Sequence, residues 1–432
     1  MWRRKLSVFA VAGAVALSVA ACGGGGGGGG TEETSTKLSG RGPITYVAGK
    51  DTTGYLQQFL DEWNKLHPEE KVTLIELPAD ADSQRQQMIQ NAQTKSDEYD
   101  VLSVDVVWVA EFAANQYIEE LPKDEFALDE MFGPTVDAGS YFGRLYAMPS
   151  SSDGGMLYYR SDLLKAAGIS EPPTTWAEME EQCKKIQATP EGKGVGCYAG
   201  QFEKYEGLTV NAAEAIHSAG GEILDEKGQP NVDTPEAAKG LAFLADGFKS
   251  GMIPRAALTY QEEEGRAAFQ AGKLIFHRQW PYQYGLANMT DGSSKVAGKF
   301  DVAPLPGLNG PGVSSLGGHN MGISTYSKHK ATALDFIKFF TEKQQARVQL
   351  AKATLAPVYT ELYEDPALQK DFPFLPTLKE SVLNAEPRPK VVNYGDATIA
   401  IQDAAYAALQ GDLTPEEAVA QMQTELEDVV NK

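Results

Sequence analysis

Ile44-Thr45-Tyr46-Val47, then Leu56, Phe59, Leu60, Trp63 and Leu66 at helical spacing, then Val72-Thr73-Leu74-Ile75-Glu76-Leu77 form the stretch that decides the fold. The first four residues read as a short strand. The next five recur every three or four positions, so they share one face of a helix, which His67-Pro68 closes. Residues 72–77 give a second strand, 84–94 a further helix and 101–107 a third strand. Alternation of this kind implies a mostly parallel sheet with helices over both faces, and the fold class is α/β. Ligands of such sheets settle beyond the carboxyl ends of the strands. Asp51, Asp80 and Asp105 each stand at or just past one of those ends, the first hint of a polar ligand site.

Downstream the alternation resumes. Residues 176–186 read as a helix capped by Thr174 or Thr175, and 208–219 and 235–250 as two more, the latter between Thr234 and Gly251. A short buried strand is expected at 274–277, another at 322–325, then a helix at 331–341 and an amphipathic helix at 415–430. Residues 304–318 are rich in Gly and Pro, which marks a connection and a candidate hinge crossing. The chain has 432 residues, 42% of them apolar, enough for two domains.

The amino terminus points outward from the cell. Arg3, Arg4 and Lys5 precede an apolar run at 6–19, the length of a signal-peptide core and too short to span a bilayer. Val19-Ala20-Ala21-Cys22 resembles a bacterial lipobox, in which Cys22 is lipidated; the alternative is an ordinary cleavage site with a chance cysteine. Gly23 to Gly30 cannot hold a fold but make a tether, and from Cys22 to Thr36 such a coil reaches roughly 20 Å. The expected order is a signal peptide at 1–21, then a lipidated cysteine and flexible tether at 22–41. The protein is then exported and held at the extracytoplasmic face of the membrane by lipid alone.

A net charge of −21 argues against a nucleic-acid partner and against anionic headgroups docking on the folded part. After Cys22 only Cys183 and Cys197 remain. In an oxidising compartment this pair reads as a disulfide around Pro190 and Gly196, with two buried thiols as the alternative. No Cys/His cluster has zinc spacing, so neither a metal nor a cofactor is expected.

At several points the sequence resembles the family 1 extracellular solute-binding proteins of bacterial ABC importers, in particular the trehalose/maltose-binding lipoproteins. Asp105-Val106-Val107-Trp108 carries the likeness, as do 145–149 leading to Asp153, Leu157-Tyr158-Tyr159-Arg160 and Lys204-Tyr205-Glu206-Gly207-Leu208. Trp280-Pro281-Tyr282, 303–307 before Leu316-Gly317-Gly318, and Pro387-Arg388-Pro389 complete it. The resemblance implies a two-lobed periplasmic-binding-protein fold of type II, with a solute buried between discontinuous lobes. Chain crossings would fall near 150–153, near 310–314 and near Tyr359. Lobe 1 would be 42–152 plus 314–358, and lobe 2 would be 153–313 plus 359–432. The implied function is capture of a disaccharide or short oligosaccharide, of trehalose/maltose type, by lobe closure and delivery to the transmembrane subunits of a permease. A monomer is expected.

Sugar chemistry needs charged hydrogen-bonding groups at the ring edge and aromatic rings over the faces. The resemblance puts Asp105 and Asp153 in the hydroxyl-binding role, Arg85 and Arg388 as guanidinium donors, and Trp280 and Tyr282 as the platform. Gly318 would allow close backbone approach. The residues alone leave other roles open: Asp105 as a helix cap, Trp280 and Tyr282 as core, Arg388 in a surface turn. The Tyr205-Glu206 pair could touch ligand or only fix a helix start, and the structural role is the favoured reading. This chain also departs from the pattern. His319 stands where a tryptophan is common, Thr52 where a carboxylate is expected beside Asp51, and Asp80 where a neutral hydroxyl can stand. Those changes bear on which sugar fits.

Two rivals are weaker. An exported glycosidase would need two carboxylates flanking one bond. A serine acyl-enzyme would use Ser327-Lys328-His329-Lys330 as S-x-x-K, but the motif order along the chain is wrong. The protein is therefore not read as an enzyme. A binding protein of the same fold for a polyamine, peptide or glycerophosphodiester remains the main alternative.

Overall fold

The computed structural model describes residues 38–431. The expected signal peptide, Cys22 and the glycine run lie outside the described residues. Two main sheets organise the rest. In chain order their strands are β1 (Ile44–Gly49), β2 (Val72–Leu77), β3 (Val101–Asp105), β4 (Ala147–Pro149), β5 (Met156–Tyr159), β6 (Gly196–Ala199), β7 (Leu274–Gln279), β8 (Asp301–Ala303) and β9 (His319–Ile323). The first sheet runs β2-β1-β3-β9-β4 and the second β8-β5-β7-β6.

Neither sheet is mostly parallel, contrary to the sequence expectation. In the first, β1 pairs in parallel with β2 and β3, but β9 runs antiparallel to β3 and β4. In the second, β6 and β7 alone pair in parallel. The reason is connectivity: β9 enters the first sheet from the second, so the crossing, and not a covering helix, sets its direction.

Element ends follow local hydrogen bonds. β3 stops at Asp105, two residues early, because the Val107 N–H turns back to Asp105 Oδ1 (3.2 Å) and the Val106 N–H reaches the Gly318 carbonyl (3.3 Å). The helix expected at 84–94 spans Ala81–Gln93 and starts three residues early, capped by Asp80, whose Oδ1 accepts from the Ser83 N–H at 2.7 Å. β9 covers His319–Ile323 and not 322–325, since its polar leading residues pair in register with Asp105 and Val104.

Each sheet carries its own helices and packed aromatic core. Tyr46, Phe59, Trp63, Phe336 and Phe340 interlock beside the first sheet. Beside the second, Trp176 stacks on Phe243, with Tyr198, Phe202 and Phe248 continuing the contact. The helix Trp176–Gln187 opens with a capping box of Thr175 and Glu178 and is tied to β6 by a Cys183–Cys197 disulfide, Cα atoms 5.4 Å apart.

The chain passes between the sheets at 150–155, at 304–318, and after Tyr359, whose neighbour Val358 still accepts from the Phe132 N–H (3.0 Å). The first two crossings run side by side. The Gly317 N–H donates to the Asp153 carbonyl (2.8 Å) and the Gly155 N–H to Ser314 Oγ (2.6 Å). Gly318 is demanded here: its φ is +110°, and a Cβ would sit 2.3 Å from the Ser151 carbonyl oxygen. The close approach it permits is to the neighbouring crossing.

Candidate functional site

Between the two sheets and beside the crossings lies a cavity of about 390 Å³, within the range of roughly 300–1,000 Å³ usual for small-molecule sites. Asp51, Asp105, Asp153, Trp280, Tyr282, Gly318, His319 and Arg388 all line it. Asp80 and Arg85 do not. Asp80 is spent on its helix cap, and Arg85 forks onto Glu111 while its guanidinium lies over Gly395, where a Cβ would meet Nη2 at 2.3 Å.

Several lining groups are already engaged. Asp51 accepts from the Thr53 N–H and hydroxyl and from the Leu56 N–H (2.8, 2.6 and 2.7 Å), starting the helix Leu56–Leu66. Arg388 is buried and joins the two lobes. Its Nη2 donates to Asp105 Oδ1 at 2.8 Å, and its Nη1 to Glu206. Glu206 also accepts from the Tyr394 and Thr398 hydroxyls. Burial pushes the Glu206 carboxyl up to about 7 against the pull of Arg388. Arg388 Nε is buried and has no hydrogen-bond partner among the described residues.

Asp153 differs. No hydrogen bond reaches its carboxylate from the described residues, and it faces the cavity beside Asp105 and Arg278. Burial, with repulsion from Asp105, lifts it to about 7, only partly offset by Arg278. Trp280 rests one ring face on the Arg278 guanidinium, 3.8 Å from the ring centre. Arg278 is fully buried, with Nε on Glu214 at 2.7 Å and Nη1 on Gln201 at 3.2 Å. Tyr282 donates its hydroxyl to Glu263 (2.7 Å), and burial raises its phenol well above the ordinary range, so it stays a neutral donor. Burial likewise lowers the His319 imidazole and keeps it neutral, with one donor and one acceptor nitrogen.

Sequence reasoning missed the supporting residues. Glu206, favoured as a helix start over a ligand contact, does open the helix Glu206–Ser218 and also lines the cavity as part of the Arg388 ion pair. Glu262 and Glu263 hold the Tyr205 and Tyr282 hydroxyls. A glutamate run at a helix start ordinarily serves the helix dipole, so it gave no signal. The charged Arg278 inside the buried strand β7 was the available clue, because a buried charge requires a partner. Among the described residues no group of His, Cys, Asp or Glu is arranged to hold a metal ion, and no helix is long and apolar enough to cross a membrane.

A two-sheet scaffold, paired crossings and a polar, aromatic cleft are what a solute-capturing protein needs, and a model of the bacterial extracellular solute-binding proteins matches residues 49–347. The chain belongs to this family. A probable ABC transporter-binding protein of Deinococcus radiodurans is 35% identical over 365 residues, covering 82% of this chain and 86% of that one. Maltose-bound MalE3 of T. maritima superposes with a TM-score of 0.85 at 34% identity, covering 90% of this chain and 99% of the other. A mannitol-binding protein of Pseudomonas aeruginosa is 26% identical over 318 residues, 70% of each chain. As a member of the extracellular solute-binding family, the protein has a two-lobed α/β fold and is a binding component, not an enzyme.

Proposed function

We propose that the protein captures a disaccharide or short oligosaccharide, with trehalose first and maltose-type α-glucosides next, and hands it to the membrane subunits of an ABC importer. The observation that carries this reading is one cavity of about 390 Å³ holding both Trp280, backed by Arg278, and Asp153, whose carboxylate has no hydrogen-bond partner among the described residues. An aromatic ring suits a sugar face, and a free carboxylate suits its hydroxyls. The maltose named for the MalE3 relative supports the ligand class. Lobes at 42–152 plus 314–358 and 153–313 plus 359–432 would close over the solute, and lipidated Cys22 would keep the protein at the extracytoplasmic face of the cell membrane.

A second reading, a cationic solute such as a polyamine, is favoured by the cleft's charge. Among the described residues, Asp51, Asp105, Asp153, Glu206, Glu262, Glu263 and Glu264 line the cavity against Lys50 and Arg388, with Arg278 close to Asp153 and Arg266 paired to Glu263 from behind the lining. The same imbalance disfavours sugar phosphates. A thermal-shift panel of trehalose, maltose, mannitol, maltose phosphate and spermidine separates these readings. A ligand at 100 times its Kd stabilises by about 2.7 kcal/mol. A shift with spermidine and none with any neutral sugar would replace the first reading by the second.

A further inference from the structure

Beneath Trp280 lies a buried charge pair in which Arg278 backs the ring and Glu214 has no part in solute capture as proposed above. The Arg278 guanidinium is pressed against the ring at 3.8 Å and grips Glu214 through Nε (2.7 Å) and Nη2. Glu214 Oε1 reaches onward, accepting from the Ser315 N–H (3.1 Å) of the second crossing, and stands 3.4 Å from Ser314 Oγ, whose proton is donated to the Ser315 carbonyl (2.8 Å). Ser314 Oγ accepts in turn from the Gly155 N–H of the first crossing, at 2.6 Å. Gly155 abuts the pair directly: a Cβ there would stand 2.7 Å from Arg278 Nη2 and 2.9 Å from Glu214 Oε1. The Trp280 ring edge also presses on Gly317, where a Cβ would lie 2.7 Å from Cζ3. A surface that contacts ligand and the two crossings that must bend for closure therefore meet on one ion pair.

We propose that Arg278 and Glu214 are positioning residues that couple the ring of Trp280 to the interlobe hinge, so that solute contact at the ring biases the crossings toward the closed form. The inference rests on Trp280 being a solute contact. Physically, a fully buried pair cannot slide without losing hydrogen bonds that no water replaces, so ring, pair and crossings move as one body. An element whose position is shared by a site and a hinge is what links binding to domain movement.

The test uses the full chain, with Glu214→Gln and the charge-free double variant Arg278→Met/Glu214→Leu, because removing one charge alone can prevent folding. Two readouts are compared. Without ligand, hydrogen exchange should show at least tenfold faster exchange of the Gly155 and Ser315 amides in folded variants. With saturating maltose, small-angle scattering should show less than half of the wild-type compaction. Wild-type exchange and full compaction in a folded variant would overturn the coupling. Trp280→Ala separates the two ideas. Unchanged maltose affinity in that variant would remove Trp280 as a solute contact and overturn the coupling from the ring, whereas fast exchange in the double variant would still support the pair's hold on the hinge.

Discussion

Asp105 and Trp280 face one cavity from different lobes, and each is expected to matter for a different reason. Asp105→Ala removes a charged acceptor and also unpairs Arg388 from the first lobe. A hydrogen bond to a charged group contributes about 1.5–3 kcal/mol, so binding of the best sugar should weaken about tenfold or more by calorimetry. Trp280→Ala removes stacking worth about 0.5–1.5 kcal/mol together with the buried area of the ring, and should cost a similar factor. Unchanged affinity in both variants would move the site elsewhere. Asp153 contributes to the pH response. Its folded value is lifted to about 7 from 3.8, so between those values the folded state holds a proton that the unfolded chain has released. Stability from this group therefore falls as pH rises from about 4 to about 7, and is level outside that window. Asp153→Asn should remove this group's share of that slope in the melting-temperature profile, leaving the share of Glu206, which is also lifted to about 7. A sugar hydroxyl bonded to Asp153 favours its ionised form, so affinity should rise from pH 6 to pH 8, and that rise should vanish in Asp153→Asn.

At the scale of elements, the disulfide and the crossings do different work. Cys183 and Cys197 join the helix Trp176–Gln187 to the edge strand β6 across a separation of 14 residues. A loop of about 15 residues corresponds to about 3 kcal/mol of lost unfolded-state freedom. Reduction should lower the melting temperature by several degrees while leaving sugar affinity nearly intact, because the bond lies outside the cavity lining. Mass spectrometry of exported protein should find no free thiol at either position, and two thiols there would remove the claim. The crossings instead owe their geometry to glycine: Gly317 and Gly318 admit Trp280 and the Ser151 carbonyl at distances no Cβ tolerates. Their sequence advertised a connection, and its close packing appears only with the second lobe in place.

For the whole molecule, the expected event is closure around solute at a tethered location. Arg388 already spans the lobes through Asp105 and Glu206, and the Gln402 amide reaches Asp82 at 3.3 Å. Sugar should compact the protein further in scattering, and Asp105→Ala should reduce that change. Cys22→Ala should release the protein into the medium with sugar binding preserved. Retention in the membrane fraction after a high-salt wash would show that something other than lipid at Cys22 holds it.

The sequence by itself determined the α/β class, the first strands and helices, and two of the cleft's aspartates, because apolar periodicity and strand-end aspartates depend on neighbours a few residues away. Asp51 and Asp105 were legible in that way from residue pattern; Asp153, Trp280, Tyr282, His319 and Arg388 came from family likeness. Tertiary structure decided what local pattern cannot carry: the antiparallel entry of β9, the commitment of Asp80 to a cap and of Arg85 to Glu111, and the pairing of Arg388 with two carboxylates. It also put Arg278 and Glu214, 64 residues apart, beneath Trp280. Burial and charge pairing are set by groups distant in the chain, so a side chain's freedom to meet a solute is decided only when both lobes have folded around it.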